Sequence, residues 1–142
     1  VNKVTWELAL RTVSEANSSE HWTAKSTRHK RQQFFIRQAF ARESQKITLP
    51  CTITFVRLGP REMDDDNLAI CFKYIRDELS ECLIPEKRSC YVNAKGKTIK
   101  IKGRADSDPR IKWRYSQEKS ATHGIRVEIE FNKENIENVD KD

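Results

Sequence analysis

The chain has 142 residues, enough for one domain with a real core and too few for two of ordinary size. Lys and Arg number 27 against 21 Asp and Glu, a net charge of +6, and setting aside the two Lys and four acids of the tail Lys133 to Asp142 leaves a body near +8. With no signal-like segment or long apolar run, and only four Gly, none spaced as a phosphate loop, a membrane protein and a P-loop enzyme are excluded, and a cytoplasmic protein that attracts polyanions is expected.

Val4 to Val13 alternates Val4, Trp6, Leu8 and Leu10 against Thr5, Glu7, Ala9 and Arg11, the period of a half-buried strand. A polar turn follows, in which Ser19 with Glu20 is placed to open a helix. Trp22 to Ser44 holds no Pro or Gly and is expected to be that helix. Phe35, Ile36, Ala39 and Phe40 form its apolar side, while Lys25, Arg28, His29, Lys30, Arg31, Arg37 and Arg42 make a dense positive field. A solvated basic face and a phosphate-binding one fit that field equally well. His21 beside Trp22 reads as a turn residue that hydrogen-bonds backbone rather than as a catalyst.

Ile47 to Gly59 is rich in β-branched residues and reads as a strand. It leads into the stretch around which the chain is organised, Met63-Asp64-Asp65-Asp66-Asn67, followed by a helix to Glu81. On an extended backbone Asp64 and Asp66 project together and Asp65 the other way, a geometry suited to a shared cation. Oxygen-only ligands favour Mg²⁺, with Mn²⁺ as the alternative. An N-cap at Asp66 or Asn67, with neighbouring acids suiting the helix dipole, is the structural alternative, but one cap explains one acid and leaves Asp64 without a structural task. Leu68 and Ala69 stand where a calcium EF-hand needs a ligand and its glycine.

Along the helix Leu68, Cys71, Phe72, Ile75, Leu79 and Cys82 form the apolar side, with Ile70, Lys73 and Asp77 opposite. Lys73 and Asp77 are an i,i+4 pair in the weaker order, worth only about 0.3–0.5 kcal/mol. The functional alternative for Lys73 is to reach back toward a phosphate and the carboxylates. Cys51 and Cys71 fall in apolar patterns as buried thiols, and none of the four Cys has the close spacing of a zinc or redox motif.

Pro85 to Arg104 is a basic insert with seven Lys or Arg against one Glu. Tyr91 to Asn93 and Lys97 to Ile101 are expected to pair across a turn at Gly96. Lys95, Lys97, Lys100 and Lys102 make the insert either a DNA-contacting arm or a soluble loop, and its charge density favours the arm. Asp106 and Asp108 then precede a strand through Ile111, Trp113 and Tyr115, beside which Arg110 and Lys112 add positive charge. Asp106-Ser107-Asp108-Pro109 alone reads as a turn, but as a second acidic cluster in a basic chain it offers one acid that could join Asp64 and Asp66 across neighbouring elements. Gly124 to Phe131 is expected as the last strand, hairpinned to the previous one through Ser120 to Gly124, and the polar tail 132–142 as disordered. The expected fold is a single α+β domain over 1–131 of order β-α-β-α-β-β, with a mixed sheet and two main helices.

From the polar turn before Trp22 through Phe131 the chain resembles the RusA-like Holliday junction resolvases. The resemblance rests on Asp64-Asp65-Asp66-Asn67 entering a helix, on Lys73 four residues before Asp77, and on Asp106-Ser107-Asp108-Pro109-Arg110-Ile111 leading into a strand. It implies a Mg²⁺-dependent endonuclease that resolves four-way branched DNA as a homodimer. Asp64, Asp66 and Asp108, the last three residues before Ile111, would hold one or two Mg²⁺, and Lys73 would neutralise charge on the phosphate. Two departures stand out. The family's Lys falls three residues after the Asn, where this chain has Ile70, and Lys73 sits about 4.5 Å further along. The short link to the second acidic turn is replaced by the basic insert, with Ser107 in place of one acid. The displaced Lys keeps an alternative open, a branched- or single-stranded-DNA-binding protein on the same fold without cleavage.

Overall fold

The computed structural model describes residues 2–15, 19–43, 46–85, 90–100 and 105–132. Its elements run β1 (Asn2–Leu8), α1 (Trp22–Glu43), β2 (Cys51–Gly59), α2 (Asp65–Cys71), α3 (Lys73–Leu83), β3 (Cys90–Val92), β4 (Thr98–Lys100), β5 (Ile111–Lys119) and β6 (Gly124–Phe131). Four strands form one sheet in the order β1-β6-β2-β5. β6 is antiparallel to both β1 and β2, and β2 is parallel to β5, so the sheet is mixed and the fold α+β as expected. The tail beyond Asn132, Lys102 and the end of α1 at Ser44 lie outside the described residues.

One pairing differs from the sequence expectation. β5 and β6 are joined by a short turn but do not form a hairpin, because β2 lies between them. Burial explains the order. Ile125, Val127, Ile129 and Phe131 of β6 are all 4 % exposed or less, which requires neighbours on both sides. β5 alternates with exposed Lys112, Arg114, Ser116 and Glu118 and suits an edge, where charge also discourages further pairing. A helical crossover between parallel strands delivers β5 to the free side of β2.

Alternation along the strands sends one set of side chains under the helices. Cys51, Ile53 and Phe55 of β2, Trp6 of β1 and the four apolar residues of β6 meet Ile36 and Ala39 of α1 and Leu68, Phe72, Ile75 and Leu79 of α2 and α3. Phe55 stacks on Phe72 at 5.0 Å between centroids and on Trp113 at 5.6 Å. β1 ends at Leu8, short of Val13, although Leu10 continues into the core. β2 begins at Cys51 rather than Ile47, since Pro50 has no N–H to offer a ladder.

The expected central helix is two helices. At Phe72 (φ −97°, ψ 4°) the backbone N–H turns to the carbonyl of Ala69 at 3.2 Å, a tighter i−3 bond. The fully buried ring, held between Phe55 and Tyr115, marks the break. Within the basic insert β3 and β4 pair antiparallel as expected, Tyr91 opposite Ile99 and Val92 opposite Thr98. Asn93 Oδ1 accepts the backbone N–H groups of Lys95 and Lys97 at 3.0 Å each, and Gly96 takes the positive φ of 76° that closes the turn. Among the described residues no helix is long and apolar enough to cross a membrane.

Candidate metal and phosphate site

β1, β2 and β5 run in the same direction, so the helices that follow β1 and β2 return the other way. The starts of α1 and α2 therefore share one end of the sheet with the ends of β2 and β5. The end of α3 shares the opposite end with the start of β5. The residues singled out in the sequence divide between these two ends.

At the first end Asp64 occupies the N-cap position of α2 (φ −60°, ψ 146°), and its carbonyl accepts the N–H groups of Asn67 and Leu68 at 2.9 and 3.0 Å. Asp65 and Asp66 lie in the first helical turn. The extended alternation expected for these acids is thus overturned. Helix formation begins one residue after Asp64, and positions two apart on a helix diverge by about 200°. Asp64 has a structural task after all, but its backbone performs it; the side chain makes no capping bond. All three carboxylates are exposed, and none has a hydrogen-bond or ion-pair partner among the described residues.

The segment that delivers these acids is tied down on both sides. Gln117 of β5 accepts the Met63 N–H at 2.9 Å and donates to the Met63 carbonyl at 2.8 Å. Arg57 of β2 donates through Nη1 to the Arg61 carbonyl at 2.7 Å. Neither residue stands out in the sequence by type. Both, however, sit at inward positions of their strands, in step with Phe55 and Tyr115, and a polar side chain at such a position is the signal that would have found them.

Four predicted DNA contacts lie on the early turns of α1, at this same end. Lys30 and Arg31 are exposed and Lys25 is half-exposed. Arg28 is not open in the same way. It bridges Glu15 and Glu20, the latter at 2.7 Å, while His29 meets Glu15 at 2.8 Å and stacks on Tyr74 at 3.5 Å. These contacts fasten the segment before α1 onto the helices. His21 accepts the backbone N–H of Thr23 at 3.3 Å, the turn role its position suggested.

Asp108 lies at the other end. It is 5 % exposed; its Oδ1 accepts the Arg110 N–H at 2.9 Å and Nε at 3.1 Å, and its Oδ2 accepts Nη2 at 3.1 Å. The Asp106 carbonyl accepts Trp113 Nε1 and Arg76 Nη2, both at 2.9 Å. Arg76 also donates to the Tyr115 hydroxyl at 2.9 Å and lies over the Trp113 ring. Asp77 is close by, its pKa raised by burial and then by the Asp106 carboxylate, against the lowering effect of Lys73 and Arg76. Lys73 itself is exposed, with Nζ 5.6 Å from the centre of the Tyr74 ring.

The triad that the resemblance implies is therefore not gathered. Gln117, which holds Met63, is six residues beyond Ile111, about 20 Å along β5. Lys73 is eight residues past Asp65, about 12 Å along a helical path. Among the described residues no three His, Cys, Asp or Glu side chains come together as a metal-binding group. The insert is tethered at the Asp108 end, with Lys95 and Lys97 exposed at its turn and Lys100 on β4; Lys112 is exposed on the edge strand. What the first end offers is a turn of exposed carboxylates, hard oxygen donors suited to Mg²⁺ or Mn²⁺, next to a basic helix. No protein-family model matches this chain, and neither curated proteins nor solved structures provide a match.

Proposed function

We propose that this protein is a Mg²⁺-dependent, structure-selective endonuclease that acts on branched DNA, the activity its Asp64-Asp65-Asp66-Asn67 motif resembles. The observation that carries the reading is the uncompensated acidic turn. Three adjacent carboxylates stand exposed without a counter-charge among the described residues, in a body that is otherwise strongly basic. The start of α2 favours negative charge at these positions, and a cation that joined the turn would further offset the repulsion among the three.

The resemblance gives the cation to Asp64 and Asp66; since they do not share a face, each is offered as a separate ligand, and the ion would be drawn to either with substrate phosphate oxygens completing its shell. Magnesium is commonly held by one or two carboxylates together with water, so one acid suffices when DNA supplies the rest. When bound, the ion would lower the pKa of an attacking water and stabilise the leaving oxygen. Gln117 and Arg57 would keep the acidic turn in place during this, and Lys25, Lys30 and Arg31 would attract the backbone of a DNA arm. Two symmetric nicks across a four-way junction require two sites, so the working unit in this proposal is a homodimer acting in the cytoplasm.

One observation favours a second reading, a branched- or single-stranded-DNA-binding protein without cleavage. Asp108, the third acid implied by the resemblance, is buried against Arg110 at the far end of β5.

The experiment is cleavage of a mobile four-way junction in Mg²⁺, with linear duplex and flap controls, by the wild type and Asp66→Asn. Paired nicks confined to the junction and abolished by the substitution are expected. Tight binding without nicks in Mg²⁺ or Mn²⁺ would establish the second reading, and absence of binding would overturn both.

A further inference from the structure

Arg57 is 7 % exposed, and its Nε is enclosed without a hydrogen-bond partner. The bond recorded for its guanidinium is the one from Nη1 to the Arg61 carbonyl. A buried guanidinium without an anion is costly, because the desolvation of the charge is not offset by an ion pair. The carboxylate that shares its surroundings near Cys71, Glu15, is already engaged by Arg28 and His29. The fold nevertheless makes room for the group. A Cβ at Gly59 would stand 3.3 Å from Nη2, 3.4 Å from Nη1 and 3.4 Å from Nδ1 of His123, so the space a side chain would take there is filled by the guanidinium.

Two unmatched charges of opposite sign thus belong to one short segment. Arg57 is bonded to Arg61, and Asp64 follows three residues later, at most about 11 Å along the chain. They do not neutralise each other: no contact joins Arg57 to Asp64, Asp65 or Asp66. A phosphodiester answers both at once, with one oxygen accepting from Nη2, the guanidinium nitrogen that is neither enclosed nor taken by Arg61, while a cation at the carboxylates meets the same phosphate. We propose that Arg57 is a phosphate-binding residue, taking an oxygen of the DNA backbone at the linkage presented to Asp64 and Asp66. This rests on the nuclease reading, and it gives to Arg57 the phosphate contact that the resemblance gives to Lys73.

The test uses the full chain with Arg57→Met, which keeps bulk and removes charge, and Arg57→Lys, which keeps charge and removes the fork. Without ligand, Arg57→Met is expected to melt at or above the wild type, since it removes an uncompensated buried cation. Inorganic phosphate, compared with chloride at equal ionic strength in Mg²⁺, should raise the wild-type melting temperature, raise that of Arg57→Lys less and leave Arg57→Met unchanged. In Ca²⁺, a junction with one neutral methylphosphonate at the cleaved linkage should bind the wild type about tenfold more weakly than the natural junction, and Arg57→Met should bind the two alike.

Phosphate stabilisation or methylphosphonate discrimination that survives in Arg57→Met overturns the assignment. So does an Arg57→Met protein that melts far below the wild type while Arg57→Lys responds to phosphate as the wild type does. The two proposals fail separately. A wild type that responds to phosphate through Arg57 but cuts no DNA removes the nuclease and keeps the anion site. Junction cleavage with unchanged kcat and KM in Arg57→Met does the reverse.

Discussion

Gln117→Met tests whether the acidic turn is held in place from β5. The substitution preserves length and apolar packing but removes both bonds to Met63, the acceptor at 2.9 Å and the donor at 2.8 Å. Each such bond contributes about 0.5–1.5 kcal/mol net, and the half-buried Met63 groups lose their protein partners, so the expected loss is about 1–3 kcal/mol. For a domain of this length 1 kcal/mol corresponds to roughly 3 °C of melting temperature. Urea titration reads the global term, and amide exchange over residues 60–66 reads the local one, which should rise more than the global loss accounts for. Gln117→Glu is the sharper comparison. It retains an acceptor for the Met63 N–H but sets a carboxylate against the Met63 carbonyl, and at neutral pH it should be at least as damaging. Unchanged exchange together with a melting temperature within about 1 °C of the wild type would refute the role given to Gln117.

Three further outcomes are expected. Phe72→Ala should cost about 3–5 kcal/mol in urea titration, because a fully buried ring stacked on Phe55 at 5.0 Å leaves a cavity beneath the helix break; a loss under about 1 kcal/mol would mean that the break collapses onto the core. Burial and Asp106 raise the folded-state pKa of Asp77, so above the ordinary Asp range near 4 the folded chain binds more protons than the unfolded one and stability falls as pH rises. Asp77→Asn should therefore be more stable than the wild type at neutral pH and converge with it below about pH 4 in paired urea titrations. Finally, Lys30→Gln should reduce the slope of log affinity against log salt for DNA by about 0.9 without altering the melting temperature, whereas Arg28→Gln, by releasing Glu15 and Glu20, should lower the melting temperature more than it alters that slope.

The sequence was most informative where one physical rule acted alone. The absence of Pro and Gly from Trp22 onward located α1 from its start through Glu43. Strict alternation located β6, and the turn at Gly96 located the β3–β4 hairpin. Pairing order was not legible in this way. Alternation says which face of a strand is buried but not which strand lies beside it, and neither β5 nor β6 carries a sign that β2 comes between them. The acids show the same limit: Asp64 to Asn67 reads equally as a strand exit or a helix entry, and the choice decides whether Asp64 and Asp66 project together or apart. Arg57 was the omission with a readable signal, since its parity with Cys51, Ile53 and Phe55 already directed an arginine into the core.

Away from the acidic turn several arginines are matched by acids, although exposed Glu7, Glu62 and Glu130 have no ion pair among the described residues. Arg28 is held by two glutamates, Arg110 by Asp108, Arg126 by Glu118 and Arg37 by Glu78. Basic side chains are also abundant, 27 in all, so the lack of a partner for Asp64, Asp65 and Asp66 does not arise from scarcity. Nor does burial account for it, because exposed acids are the easiest to pair. Their place at the start of α2 accounts for acids there, and what it leaves over is the anchoring by Gln117 and the nearby buried guanidinium whose Nε has no partner. In the reading proposed above, a cation at the carboxylates and an anion at Arg57 would offset these charges. A phosphodiester with its Mg²⁺ brings both in one ligand. A peptide carboxylate would satisfy Arg57 alone, and a free cation the acids alone, which is why the coupling of phosphate and metal, more than the affinity for either, bears on what this surface is for.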